Sequence, residues 1–269
     1  MEISDHHRPG WLPGRNWLTF FLLNIIMMWV THAIALFAHE YSHSFTAWLL
    51  GWKTNPFALN YGQLTLSNVL AQFDIDENVN YKPIFATGHG QQAGLVALAG
   101  LLIGNLLLTY PLSLLGFKFS KKNTSRVLTL FFYWLCVTSV GNLIDYVPVR
   151  TFAYSGDMHT VCKGFNCSPW FILICLGIPF VMILMHFVFN YAPQALYRLF
   201  PDSKGMRLAM IILTSLAMFG FYGAAGWGSK DPVSHYMSVV SVSLFVPLTI
   251  IAGLLFDYKF QKDSSLHHN

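Results

Sequence analysis

Residues 17–52 read WLTFFLLNIIMMWVTHAIALFAHEYSHSFTAWLLGW, and the only Asp, Glu, Lys or Arg among them is Glu40. A stretch this apolar reads as a membrane-crossing helix, because about 20 such residues span a hydrocarbon core of roughly 30 Å. At about 1.5 Å per residue the whole stretch is too long for one upright crossing, so it must tilt, kink or emerge from the bilayer. Ala33-Ile34-Ala35 resembles a signal-peptide cleavage site. The apolar run is longer than a signal h-region, however, and cleavage would detach it from the polar cluster just beyond, so the helix reads as retained.

The rest of the chain repeats the pattern. Of its 269 residues 54% are hydrophobic and only 10% charged, against roughly 25% charged in soluble domains, and the mean hydropathy is +0.48. Weakly charged runs recur at 90–116, 125–147, 169–190, 206–228 and 236–256. With 17–51 they predict an all-α polytopic membrane protein of about six transmembrane helices, with the lipid bilayer as its surroundings. The net charge of +4 carries no nucleic-acid signal, since the basic residues fall in short loops. Taken by alternate loops, Arg8, Arg15, Lys118, Lys121, Lys122, Arg126, Arg198, Lys204, Arg207, Lys259 and Lys262 lie on one side, and Lys53, Lys82, Arg150, Lys163 and Lys230 on the other. Eleven against five places both termini in the cytoplasm. No internal repeat or soluble domain-sized segment interrupts the spans.

Histidine and glutamate are costly inside such a helix, yet His39-Glu40-Tyr41-Ser42-His43 forms an HExxH box. The i, i+4 spacing puts both imidazoles on one helix face, where they can share a zinc ion. Glu40, turned by about 100°, can then reach a metal-bound water as a general base. A third ligand must come from elsewhere. The acids able to join the box lie from the end of the third span onward, in Gly141-Asn142-Leu143-Ile144-Asp145-Tyr146-Val147-Pro148 and Ser155-Gly156-Asp157-Met158-His159, on the side where the first helix ends. Asp157, following a glycine at the mouth of a loop, is the preferred ligand, with Asp145 the alternative. His159 and His89 are further candidates, each more simply a polar loop residue. His32, seven residues before His39, reads as a buried hydrogen-bonded histidine or as lining for an aqueous cavity. Asn105, deep in the second apolar run, needs a partner and is either interhelical glue or support for a metal ligand.

Two loops carry further expectations. Residues 57–68 alternate around Asn60-Tyr61-Gly62, which predicts a small β-hairpin or re-entrant element after the first span. Cys162 and Cys167 share a non-cytoplasmic loop and would form a small disulfide if the compartment is oxidising. Cys136 and Cys175 lie in apolar runs as packing residues.

An HExxH box in an apolar helix, an Ala99-Gly100…Asn105 element in the next span and a later Asn142…Pro148…Gly156-Asp157 element together resemble the site-2 protease family of intramembrane zinc metalloproteases. The resemblance covers roughly residues 30–165. It implies zinc held by His39, His43 and Asp157, water activated by Glu40, and substrate positioned by Asn142. In the family's usual pattern Pro follows the Asn after two residues and Leu-Asp-Gly stands close by; here Pro148 follows Asn142 by six and the aspartate sits in Ser-Gly-Asp-Met. The implied organisation is a cytoplasmic segment 1–16, a metalloprotease core 17–165, C-terminal transmembrane helices 166–258 and a cytoplasmic tail 259–269. The expected activity is hydrolysis of peptide bonds in or near transmembrane segments of membrane-protein substrates, with no nucleic-acid partner. Its rivals are a catalytically inactive zinc protein that binds clients and an ion transporter using Glu40 and the histidines as a path.

Overall fold

The computed structural model describes the backbone of residues 16–266 and the side chains through Leu255, together with Asp257. The fold is all-α and polytopic. Six helices are long and apolar enough to cross a membrane: Trp17–Leu49, Gly90–Lys122, Arg126–Val149, Pro169–Leu199, Lys204–Ala224 and Pro232–Leu255. Spans two and four run past the apolar stretches of the sequence because their ends are amphipathic. Ala195, Leu196 and Leu199, for example, turn inward from an otherwise polar helix end.

The first span is one unbroken helix of 33 residues, begun by Asn16, whose side chain accepts from the Leu18 and Thr19 amides. At about 50 Å it is longer than a bilayer core is thick, and it has no kink. The third span is the central post, 78% of its apolar window being buried, against 11% in spans four and six. Those two outer helices turn residues such as Ile174, Ile178, Met182 and Ile251 outward, as lipid-facing helices do.

Contacts at one end gather alternate helix termini. Phe20 meets Phe200 with ring centroids 5.5 Å apart, Arg198 Nη2 donates to Ser120 O at 2.8 Å, and buried Arg207 pairs with Asp257 at 2.6 Å. This end holds the basic residues from Lys118 to Arg207 on the more positive side of the charge count. Arg8 and Arg15 lie outside the described residues, as do the side chains of Lys259 and Lys262. The HExxH box lies toward the opposite end, since His39 is 22 residues, or about 33 Å, along the first span.

Residues 57–68 do not form the hairpin. Among the described residues no strand ladder exists there, and a single antiparallel bridge joins Asn60 to Asp76. The cause is local: the Asn68 amide donates to Tyr61 O and Gln63 O and accepts from the Asp74 N–H, so one side chain takes the place of a partner strand. Thr65 then caps a short helix, Leu66–Ala71. The segment is re-entrant in its path. It leaves the end of the first span and turns back beside it until Trp29 Nε1 donates to Val69 O at 3.0 Å and His32 Nε2 lies 3.2 Å from Ala71 O. It then returns to Lys53, whose ammonium donates to the Glu77 and Asn78 carbonyls. Trp29 to Leu49 is about 30 Å of helix, which measures the depth of the excursion.

Candidate metal centre

His39 and His43, each 1% exposed, turn their Nε2 atoms to within 2.9 Å of each other. Asp157 Oδ2 stands 3.2 Å from the first and 3.4 Å from the second. Three atoms able to donate lone pairs thus converge from two elements 118 residues apart in sequence. A tetrahedral zinc ion with bonds of about 2.0–2.2 Å sets its ligand atoms roughly 3.3–3.6 Å apart, so the trio needs only to open by a few tenths of an ångström to hold one. Among the described residues, this is the group of His, Cys, Asp and Glu side chains close enough to share an ion. Two nitrogens and one carboxylate leave a fourth position for water or substrate, as catalytic zinc sites require.

The surrounding residues orient the ligands. His43 Nδ1 meets Val96 O at 2.6 Å, which fixes its proton there and leaves the Nε2 lone pair free. His39 Nδ1 lies 3.0 Å from the Asn105 amide, while Asn105 Oδ1 is buried with no partner. Turning that amide by 180° lets Oδ1 accept from a His39 Nδ1–H, which leaves the His39 Nε2 lone pair for a metal. Replacing Asn105 with Ala is therefore expected to weaken zinc binding about 10–100-fold, read by competition with a colorimetric chelator. Unchanged affinity would remove Asn105 from the centre. The His39 ring also stacks on Tyr146 with centroids 4.7 Å apart, and the Arg150 guanidinium lies 4.9 Å over the other partner of that stack, the Tyr146 ring.

Glycines make room for the centre. A Cβ at Gly100 would lie 2.2 Å from His43 Nε2 and 2.5 Å from His39 Nε2, and one at Gly104 would lie 2.6 Å from Ala38 O. The second span therefore presses its backbone onto the box, and it takes wide π-type turns over Gly100–Thr109 as it does so. Gly156, at φ +88°, bends the chain into a helix, Asp157–Phe165, whose first residue carries the carboxylate that faces the two imidazoles. That helix is seated on the second span through Gly164, where a Cβ would come within 2.4 Å of Gly90 O. Burial alone would raise the Asp157 carboxyl, but the His43 and His39 imidazoles outweigh it and hold it well below the usual carboxylate range.

The other candidates fall elsewhere. Asp145 pairs with Arg150 at 3.6 Å, and its Oδ1 is buried without a partner. His159 and His89 are exposed. Asn142, 6% exposed, donates to Thr138 O at 2.9 Å and lines a cavity of about 800 Å³, whose wall also includes Asp157. Glu40 lines the same cavity, as do Asp157 and His32. His32 Nδ1 is 2.7 Å from Tyr222 Oη, and Tyr222 in turn packs its ring where a Cβ on Gly141 would stand, so the fifth span closes one wall. Cys162 and Cys167 are free thiols, and burial pushes the Cys162 thiol up to about 11. Tyr146, Arg150 and the Val96 carbonyl escaped sequence reasoning. A backbone acceptor has no side-chain signal, and an aromatic in an apolar run reads as packing.

Comparisons with protein-family models, curated proteins and solved structures gave no match.

Proposed function

We propose that this protein is an intramembrane zinc metalloprotease, hydrolysing peptide bonds in or near the transmembrane segments of other membrane proteins. The observation that carries the reading is the convergence of His39, His43 and Asp157 beside a cavity into which Glu40 faces. A three-ligand centre with an adjoining carboxylate suits hydrolysis. A client-binding protein would need the centre but not Glu40, and an ion path would need the charges but not their HExxH order. The order of motifs along the chain, similar to that of the site-2 protease family, points the same way.

Zinc held by the two Nε2 atoms and Asp157 Oδ2 would supply Lewis acidity to the scissile carbonyl and to the attacking water. Glu40 then takes a proton from that water as its oxygen bonds to the carbonyl carbon. It passes the proton to the amide nitrogen as the C–N bond breaks. Asn105 and Val96 O keep the imidazole lone pairs directed at the centre. Asn142, on the cavity wall, would meet the substrate main chain. The charge distribution puts both termini in the cytoplasm and the site toward the opposite leaflet.

Purified protein reconstituted in liposomes with a panel of single-span substrates tests the reading. Cleavage is expected to stop on zinc removal with a chelator and to return with added zinc. Zinc retention without cleavage of any client would favour the binding protein, and Glu40-dependent ion flux would favour the transporter.

A further inference from the structure

We propose that the re-entrant wall of the cavity, residues 71–77, recognises a lysine or arginine side chain of the substrate beside the scissile bond; this specificity rests on the protease reading above. Five carboxylates line the cavity, those of Glu40, Asp76, Glu77, Asp145 and Asp157, against a single guanidinium, Arg150. Most are already engaged. Glu40 and Asp157 belong to the metal centre, Asp145 Oδ2 faces Arg150 at 3.6 Å, and Arg150 also covers the Tyr146 ring. Asp76 accepts from Asn60 Nδ2 and from the Asn78 N–H, both at 2.8 Å. Glu77 remains. Among the described residues no lysine, arginine or histidine nitrogen comes within 4 Å of its carboxylate. Lys53, close by, directs its ammonium at the carbonyl oxygens of Ala58, Glu77 and Asn78 instead.

A second, independent observation points to the same kind of ligand. Gln72 is only 5% exposed and lines this cavity, yet its Oε1 has no hydrogen-bond partner. Asp145 Oδ1, an acceptor whatever its rotamer, is orphaned on the facing wall. Buried acceptors left unmet are costly, and a small rotation that brings them to the cavity would, beside a carboxylate with no cationic partner, complement a donor-rich cation. Of the side chains a peptide substrate can offer, lysine and arginine alone bring several N–H donors and a positive charge.

Zinc-loaded Glu40→Gln protein separates binding from turnover. The probe is a fluorescent single-span peptide of leucine and alanine with a central Ala-Gly step, carrying Lys, Ala or Glu at successive positions around that step, and binding is read by anisotropy. At one position the Lys peptide is expected to bind about tenfold tighter than the Ala peptide, and the Glu peptide more weakly still. Adding Glu77→Gln should collapse the ratio, and Glu77→Lys should turn it toward Glu. Gln72→Leu, a change on a different turn, should lower it in part, and this holds the test open if a Glu77 variant does not fold. Equal binding of the three peptides at every position, or a Lys preference that persists in Glu77→Gln, overturns the proposal. Failure of the protease reading looks different: wild-type protein would bind with the Lys preference but cleave none of the peptides in the presence of zinc.

Discussion

Glu40→Gln is expected to keep its zinc and to lose cleavage by about 10²–10⁴-fold, the usual contribution of a general base. At about 1.4 kcal/mol per factor of ten, that is roughly 3–5 kcal/mol of transition-state stabilisation. Glu40 is 6% exposed, lines the cavity and is not one of the three clustered ligands. The amide keeps the size of the carboxylate but cannot take the proton that the attacking water must lose. Zinc content by mass spectrometry and cleavage of a single-span substrate in liposomes separate the two effects. Wild-type turnover in the variant would sink the proposed role. Loss of zinc along with turnover would instead make Glu40 part of the metal's support.

The membrane fold was legible because hydrophobic runs of this length have few alternatives, and the same runs made His39, Glu40 and His43 conspicuous. What the chain concealed lies where backbone geometry decides. The re-entrant segment alternates like a strand, yet the Asn68 side chain satisfies three backbone groups and removes the need for a partner strand. Depth was hidden too: nothing in Leu66–Ala71 announces that its carbonyls will meet Trp29 and His32, far back along the first span. At the centre, the sequence marks Gly100 only as part of the Ala99-Gly100…Asn105 element and gives no sign of what it faces. Only the approach of two helices shows that a side chain there would stand against the Nε2 atoms of His43 and His39. The fifth span carried no motif, and Tyr222 reaches the site through the opening left by Gly141. Side-chain chemistry can be read from sequence spacing within one helix, whereas close approaches between helices depend on residues that lack side chains.

Removing Asp157 should abolish tight zinc binding, while removing Asp145 should not. The sequence offers both carboxylates at the end of the third span, and their surroundings separate them. Asp157 Oδ2 lies within 3.4 Å of both Nε2 atoms, at the start of a helix seated by Gly164 on the second span. Its carboxyl is held well below the usual range by the two imidazoles, so it is not the carboxyl itself that must shed a proton before it can ligate. Asp157→Ala leaves two histidines and no anion, and its affinity should fall by more than the roughly 10–100-fold expected for the outer partner Asn105. Asp145 has another task. Its partner Arg150 covers Tyr146, the ring stacked on His39, and Arg150 Nη2 would be 2.9 Å from a Cβ on Gly156. Asp145→Ala therefore loosens the stack and the bend before Asp157, and a loss of zinc affinity within about tenfold is expected, smaller than that from Asn105→Ala. Competition titrations against a chelator of known affinity rank the three variants. If Asp145→Ala lost as much zinc as Asp157→Ala, the carboxylate ligand would have to be reassigned.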